Sequence, residues 1–289
     1  MAQRQSDPIT VDVVGHTECL LGNEAIVRGA LEAGVAFACG YPGTPSSEVT
    51  DTFARIADSR GIRFEYSVNE KIALELAFAA SLAAARSICA MKHLGLMYAG
   101  DPLSTIPYVG AVGGMVIVSA GDPSCRTSPN EQDQRLLAPM LHLPMLDPST
   151  PEEAHAMARF AFELSERSQL PVVLRPTARV CHTRGVITYG ALKEPEVKGF
   201  VRDPSRFVPV PVNARRLRVD LKRRLGVARV RGQEAYAETC PQYLVLDDSV
   251  YRKPGFESAT YVMSPPFRPA GHSEWLWRGL ANGLIHTVG

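Results

Sequence analysis

Hydrophobic positions along the first ~175 residues switch between two spacings. In Gly22–Glu32 they recur at helical intervals, with Ile26, Ala30 and Ala33 on one face and Gly34 where a left-handed cap ends a helix. Val35–Cys39 is a short apolar run without helical period, the mark of a strand buried on both faces. After a Gly/Pro turn at Gly40–Pro45 the alternation repeats. A helix is predicted over Ser47–Ala57, a strand over Ile62–Tyr66, an alanine-rich helix over Asn69–Ala85 and a strand over Ser87–Met91. Met115–Ser119 follows as another buried strand, then a long helix over Pro151–Ser168 and a strand over Leu170–Leu174. This order predicts an α/β domain, a parallel sheet with helices on both faces and ligands at the carboxyl ends of its strands.

Residues 176–214 are Pro-rich and predict an ordered strap, followed by a basic helix over Ala214–Leu225 with Leu217, Leu221 and Leu225 turned inward. Beyond Gly226 the composition changes, and both tryptophans, Trp275 and Trp277, fall there. The expected organisation is an N-terminal tail (1–16), an α/β domain (17–195), a strap with basic helix (196–227) and a separate segment (228–289).

Composition narrows the function classes. Apolar residues make up 45% of the 289 and charged residues 21%, which excludes wholesale disorder. Lys and Arg (31) nearly balance Asp and Glu (30), so no bulk field draws nucleic acid or an anionic membrane. The longest apolar run, Leu76–Ala85, is about half a membrane span, and the start MAQRQSDPIT lacks a secretory apolar region. A cytoplasmic protein is therefore expected. Cysteines at 19, 39, 89, 125, 181 and 240 are scattered without a CxxC. They predict buried thiols in a reducing compartment and argue against an iron–sulfur or structural zinc site; no metal-ligand set is expected.

Three polar motifs stand at predicted strand ends. Gly40-Tyr-Pro-Gly-Thr-Pro-Ser-Ser-Glu48 opens a helix, and Thr44 with Pro45 reads either as a helix cap or, through free amides and the Thr44 hydroxyl, as an anion site. Ser67-Val-Asn-Glu70 fits a capping box, with Glu70 reaching back to the Ser67 amide, yet it also places a carboxylate where active sites collect. Met91-Lys-His-Leu-Gly95 sets Lys92 and His93 on the same rim, and Asn130-Glu-Gln-Asp133 caps a further helix. No GxSxG, HExxH, P-loop or GxGxxG motif is present.

Taken in order, GNEAIVRGALEAGV, GYPGTPSSEV, SVNEKIALE, MKHLGL, GDPL and NEQDQR resemble the alpha subunit of indolepyruvate ferredoxin oxidoreductases over residues ~17–225. The resemblance implies the pyrimidine-binding domain of a thiamine diphosphate enzyme, a parallel α/β fold. It implies that Glu70 hydrogen-bonds N1′ of the aminopyrimidine and favours its imino tautomer. It further implies that Thr44 contacts the 2-oxoacid carboxylate and that Gly43, Thr44, Lys92 and His93 belong with Glu70 to the cofactor half-site. The family's GDG…N motif for Mg²⁺-diphosphate and its ferredoxin-type cysteines are not in this sequence. The implied activity, oxidation of aryl 2-oxoacids with ferredoxin as acceptor, thus needs a complementary diphosphate-binding domain or chain in a homo- or hetero-oligomer, and inactivity alone is expected. Residues 228–288 (ARVRGQEAYAETCPQYLVLDDSVYRKPGFESATYVMSPPFRP, then WLWRGLANGLIHTV) resemble dihydropyrimidinases, or hydantoinases, with Ser264 on the family's SPP segment. That implies an incomplete βα fragment of a TIM-like barrel without its metal ligands, joined near residue 226 as a fusion or an artefact. Two other readings stay open: a non-catalytic binding or assembly module, and a cyclic-amide hydrolase suggested by the tail alone.

Overall fold

The apolar runs pair edge to edge as one parallel sheet. The computed structural model describes residues 7–230 and, beyond them, 238–239, 246, 248–252, 269, 271, 273–274, 277–278 and 287–288. Two compact units divide at residue 231. In chain order the first contains β1 (Thr17–Leu21), α1 (Gly22–Glu32), β2 (Phe37–Gly40), α2 (Ser47–Ile56), β3 (Arg63–Tyr66), α3 (Glu70–Leu82) and β4 (Ser87–Lys92). It continues with α4 (His93–Tyr98), α5 (Gly100–Val109), β5 (Met115–Ala120), α6 (Leu137–Leu141), β6 (Met145–Leu146), α7 (Pro151–Ser168) and β7 (Val172–Leu174). Then come α8 (Ala178–His182), β8 (Arg184–Thr188), α9 (Pro204–Phe207) and α10 (Pro211–Val230).

The sheet order is β3-β2-β4-β5-β7-β6. Its neighbours are parallel, and Cys39, Cys89, Ile117 and Val173 stand in register across the four central strands. Alternation along these strands sorts side chains into two cores. Ile88, Val116 and Val118 meet Ile26, Phe53 and Phe162 of α1, α2 and α7, whereas Cys89, Met91 and Ile117 meet Leu74, Leu96 and Leu103 of α3, α4 and α5. Both faces are covered, as the sequence pattern predicts.

Several boundaries differ from that pattern. β1 pairs antiparallel with β8, so part of the stretch read as irregular strap is a strand and a short helix. Residues 7–16 are no loose tail, because Ile9 is buried in the core. The rest of the strap and α10 belong to the first unit, with Leu217 and Leu221 buried as predicted and Leu225 half-buried. Arg206 donates to the Ala111 carbonyl (2.9 Å), and Arg224 to those of Tyr108 (2.7 Å) and Gln169 (3.1 Å). These loops lie at the amino ends of β5 and β7, which the strap seals. Gly110 between them has φ +84°, a conformation L side chains rarely adopt, and a Cβ there would sit 2.8 Å from the Gln169 carbonyl oxygen, so a larger residue is strained. Cys39, Cys89 and Cys181 are buried, burial pushing the Cys89 thiol up to about 12, while Cys19 and Cys125 are exposed against expectation.

In the second unit β9 (Glu238–Thr239) pairs in parallel with β10 (Thr287–Val288). The expected barrel fragment, including Ser264, falls mainly outside the described residues. Among the described residues no helix is long and apolar enough to cross a membrane.

A charge sits at the centre of the first core. Arg28, wholly buried, donates to Glu32 (2.9 Å) and to the carbonyls of Ile9 (2.9 Å), Val11 (2.7 Å) and Gly190 (2.7 Å), and stacks 3.7 Å over the Tyr189 ring. Glu32 is also 3.1 Å from His155 Nε2 and 3.2 Å from Arg159, and accepts the Gly190 amide at 2.7 Å. Burial raises the Glu32 pKa, but the hydrogen bonds and charges of His155 and Arg28 outweigh it and bring it down to about 2 from an ordinary 4.5. A carboxyl depressed in the folded state stabilises above its unfolded value and loses that contribution as pH falls through the folded one. The protein should therefore lose roughly 3 kcal/mol as pH drops from about 4.5 towards 2. Glu32→Gln should lack that part of the acid dependence and be weaker by a few kcal/mol at neutral pH. Urea unfolding on both sides of this pH window, followed by circular dichroism, checks both.

Candidate active site

Strand order decides where a ligand can enter. From β2 the chain moves to β3 on one side, and from β4 to β5 on the other, so the connections diverge and leave a crevice at the carboxyl ends of β2 and β4. The loop after β2 carries Gly43 and Thr44, and β4 ends on Lys92, directly before His93. The two strand ends touch there: a Cβ on Gly43 would lie 3.0 Å from Lys92 Cδ. Lys92 is half-buried, and its ammonium has no ion-pair or hydrogen-bond partner among the described residues.

Glu70 begins α3, which crosses over β2 and β4 from the end of β3. The predicted capping box does not form. The cap is Asn69, whose Oδ1 accepts the Ile72 amide at 2.9 Å, and the Ser67 amide goes to the Gly40 carbonyl at 2.9 Å. Asn69 wins because it stands immediately before the first helical residue, where a side-chain oxygen meets an unpaired amide three residues on. Glu70 is thereby released from the structural duty the motif suggested. Its half-buried side chain lies on Gly95, where a Cβ would come within 2.4 Å of Cγ and 2.7 Å of Oε1, so only glycine lets the carboxylate lie there. That carboxylate has no hydrogen bond or ion pair among the described residues.

The reading of Thr44 as a cap is likewise corrected. α2 starts at Ser47 after Ser46, whose hydroxyl donates to the Gly43 carbonyl (2.8 Å), while the Pro45 carbonyl accepts from Asn23 Nδ2 (2.8 Å). Thr44 is exposed and borders a cavity shared with loops after β5 and β7. His93 is 1% exposed, and its Nε2 lies 3.0 Å from the Asn130 carbonyl. A carbonyl only accepts, so Nε2 carries a proton, and Nδ1 is buried without a partner. Asp133, at the end of the Asn130 segment, caps a turn through the Arg135 amide. The same rim holds further unmatched buried atoms, Ser67 Oγ, Gln134 Oε1 and Arg175 Nε. Gln134, within the NEQDQR motif, and Arg175, after β7, were not singled out from the sequence.

Residues 28–239 match the family described as "Pyruvate flavodoxin/ferredoxin oxidoreductase, thiamine diP-bdg". The chain belongs to this family. It is 49% identical over 230 residues to the indolepyruvate oxidoreductase subunit IorA of Methanothermobacter marburgensis, covering 79% of this chain and 36% of that protein. For the subunit of the same name from Thermococcus kodakarensis the identity is 47% over 217 residues, covering 73% and 34%. The chain thus spans about a third of the length of these curated relatives. A 2-oxoglutarate:ferredoxin oxidoreductase from Magnetococcus marinus, solved with 2-oxoglutarate, coenzyme A and succinyl-CoA bound, shares the fold at a TM-score of 0.61 and 16% identity, covering 94% of this chain and 52% of that one. The D-hydantoinase of Geobacillus stearothermophilus is 52% identical over 66 residues, 23% of this chain and 14% of the enzyme, in line with the second resemblance.

The division of labour between neighbours gives a direct test. Asn69→Ala should cost about 1 kcal/mol through the lost cap, whereas Glu70→Gln, which removes no bond, should keep the parent's melting temperature. Thermal denaturation of the two variants beside the parent checks this.

Proposed function

We propose that the chain supplies the aminopyrimidine half-site of a thiamine diphosphate-dependent oxidoreductase that acts on aryl 2-oxoacids and passes electrons to ferredoxin. The observation that carries the reading is the Glu70 carboxylate, unpartnered at the carboxyl rim and admitted there by Gly95. The residues present suit the pyrimidine end of the cofactor: one free carboxylate, the unpartnered His93 Nδ1 and the Ser67 hydroxyl. Bound thiamine diphosphate would supply a carbon nucleophile for attack on a 2-oxoacid carbonyl. Glu70 would hold a proton at the ring nitrogen it faces and so bias the ring's tautomer. Lys92 and His93 line the same crevice, Gly43 gives Lys92 room, and Thr44 offers a hydroxyl to the substrate carboxylate.

The family membership supports the cofactor, and the IorA relatives named for indolepyruvate support the substrate class. Those relatives are named as subunits, which supports a complementary diphosphate-binding domain or chain. Exposed Tyr41, Val68, Met97 and Tyr98 on the loops and helix around the crevice give an apolar rim that such a partner would cover. On this reading the chain alone is inactive, Mg²⁺ and iron–sulfur clusters come from its partners, and the hydantoinase-like tail takes no part in the chemistry.

Supplying the complementary diphosphate-binding chain should yield thiamine-dependent reduction of ferredoxin by an aryl 2-oxoacid. Glu70→Gln should lower that turnover by about two or more orders of magnitude. Equal turnover in parent and variant, or none in the parent complex, sinks the reading and leaves a binding or assembly module.

A further inference from the structure

Helix α10 has two unlike faces. Leu217, Leu221 and Arg224 are buried on the inner one, where the Arg224 guanidinium bonds to the Tyr108 and Gln169 carbonyls. On the outer one, Val212 (80% exposed) and Val219 (68% exposed) stand seven residues apart. A further step of seven leads to Gly226, where a Cβ would meet nothing within 4 Å. Seven residues are almost two helical turns, so these positions form one row about 21 Å long. Val227 is exposed at its end, and Val208 and Val210, just before the helix, are exposed as well.

Cations border this row. Helical geometry puts Arg215 and Lys222 along one side of it and Arg216 and Arg223 along the other, and all four are exposed. Asp220 lies 3.2 Å from Arg216 and 3.9 Å from Arg223. Arg215 and Lys222 have no ion pair or hydrogen bond among the described residues. The helix holds seven basic residues and one acidic in a chain whose overall excess is a single positive charge. That concentration works against the helix itself, since Arg218 and Lys222, four residues apart, repel on adjacent turns.

The pattern selects its occupant. A second copy would set cations against cations. Nucleic acid gains little from a central row of aliphatic side chains, which offer neither donors nor a flat face for stacking. Helices that lie in a membrane surface carry Trp, Phe or Leu on the apolar side, whereas valine and glycine stand here. An apolar row between two lines of cations is complementary to an apolar row between two lines of carboxylates.

We propose that the outer face of α10 is a docking surface for an acidic amphipathic helix of a partner protein. That helix lies along the Val212–Val219–Gly226 row, its carboxylates against Arg215 and Lys222 on one side and Arg216 and Arg223 on the other. The Arg224 bonds hold α10 at the amino ends of β5 and β7, so this partner leaves the crevice at the carboxyl ends open, and the proposal does not rest on the chemistry proposed there. Because the apolar row is narrow, charge carries most of the attraction, and salt weakens it.

Full-length chain is titrated by fluorescence anisotropy with a labelled synthetic peptide of three heptads, isoleucine and leucine in one row and glutamate on both sides of it. Parallel arms use its twin with lysine for glutamate, a scrambled peptide of equal charge, oligouridine, and phosphatidylcholine vesicles containing phosphatidylserine. Saturable binding of the glutamate peptide is expected, none of the lysine twin, and a Kd that rises between about 50 and about 300 mM salt. Kd should rise roughly tenfold or more in Arg215→Glu/Lys222→Glu and several-fold in Val219→Asp. Both variants should keep the parent's melting temperature, since these side chains are exposed; Arg215→Gln/Lys222→Gln, a milder change, should give a smaller loss of affinity. Arg63→Glu/Lys193→Glu, the same change of charge on exposed residues outside α10, should bind as the parent does. Equal binding of the scrambled peptide, equal loss in the Arg63/Lys193 variant, or no loss in the α10 variants overturns the proposal. Binding of oligouridine or vesicles through Arg215 and Lys222, without the peptide, overturns it in favour of those ligands.

Discussion

At the carboxyl ends of β2 and β4 the chain leaves in opposite directions, towards β3 and towards β5. Right-handed crossovers leave no other way to wind a parallel sheet outward from its middle, and a gap between the departing loops is the unavoidable result. The residues of the proposed site stand around that gap. Glu70 approaches from the β3 side, Lys92 and His93 end β4, and Thr44 faces the loops after β5 and β7. The glycines at 43 and 95 keep the gap usable by leaving space for Lys92 and Glu70.

The two ends of the sheet are treated in opposite ways. At the amino end, Arg206 and Arg224 donate to loop carbonyls and close the edge with a strap. At the carboxyl end, Ser67, His93, Gln134 and Arg175 each keep a buried polar atom without a partner. Buried polar atoms are costly to leave unmatched, so their collection on one rim points to groups that arrive from outside.

Strands buried on both faces write themselves into a sequence as plain apolar runs, which is why β2, β4, β5 and β7 were legible between Val35 and Leu174. β6 is two residues long and β1 pairs with the distant β8, Thr17 with Thr188 and Leu21 with Arg184, so neither leaves a local trace. Helices α4 and α5, over His93–Val109, carry glycine and proline that mask their period. The capping box at Ser67–Glu70 failed through a shift of register: two neighbouring residues each carry a suitable oxygen, and tertiary pairing of the Ser67 amide settled which was used. Glu70, Thr44, Lys92 and His93 could be picked out because motif and strand end coincide.

Arg28 carries a consequence for how the protein is made. Its helix leaves the ribosome well before two groups it depends on, since one of its carbonyl partners is on Gly190 and the imidazole that joins its carboxylate partner is at His155. Until those segments have been synthesised, burying the guanidinium would strand a charge with half its bonds, so α1 must wait hydrated. The fold is thus closed by its own late residues, and a growing chain arrested before residue 190 cannot complete the core it began with.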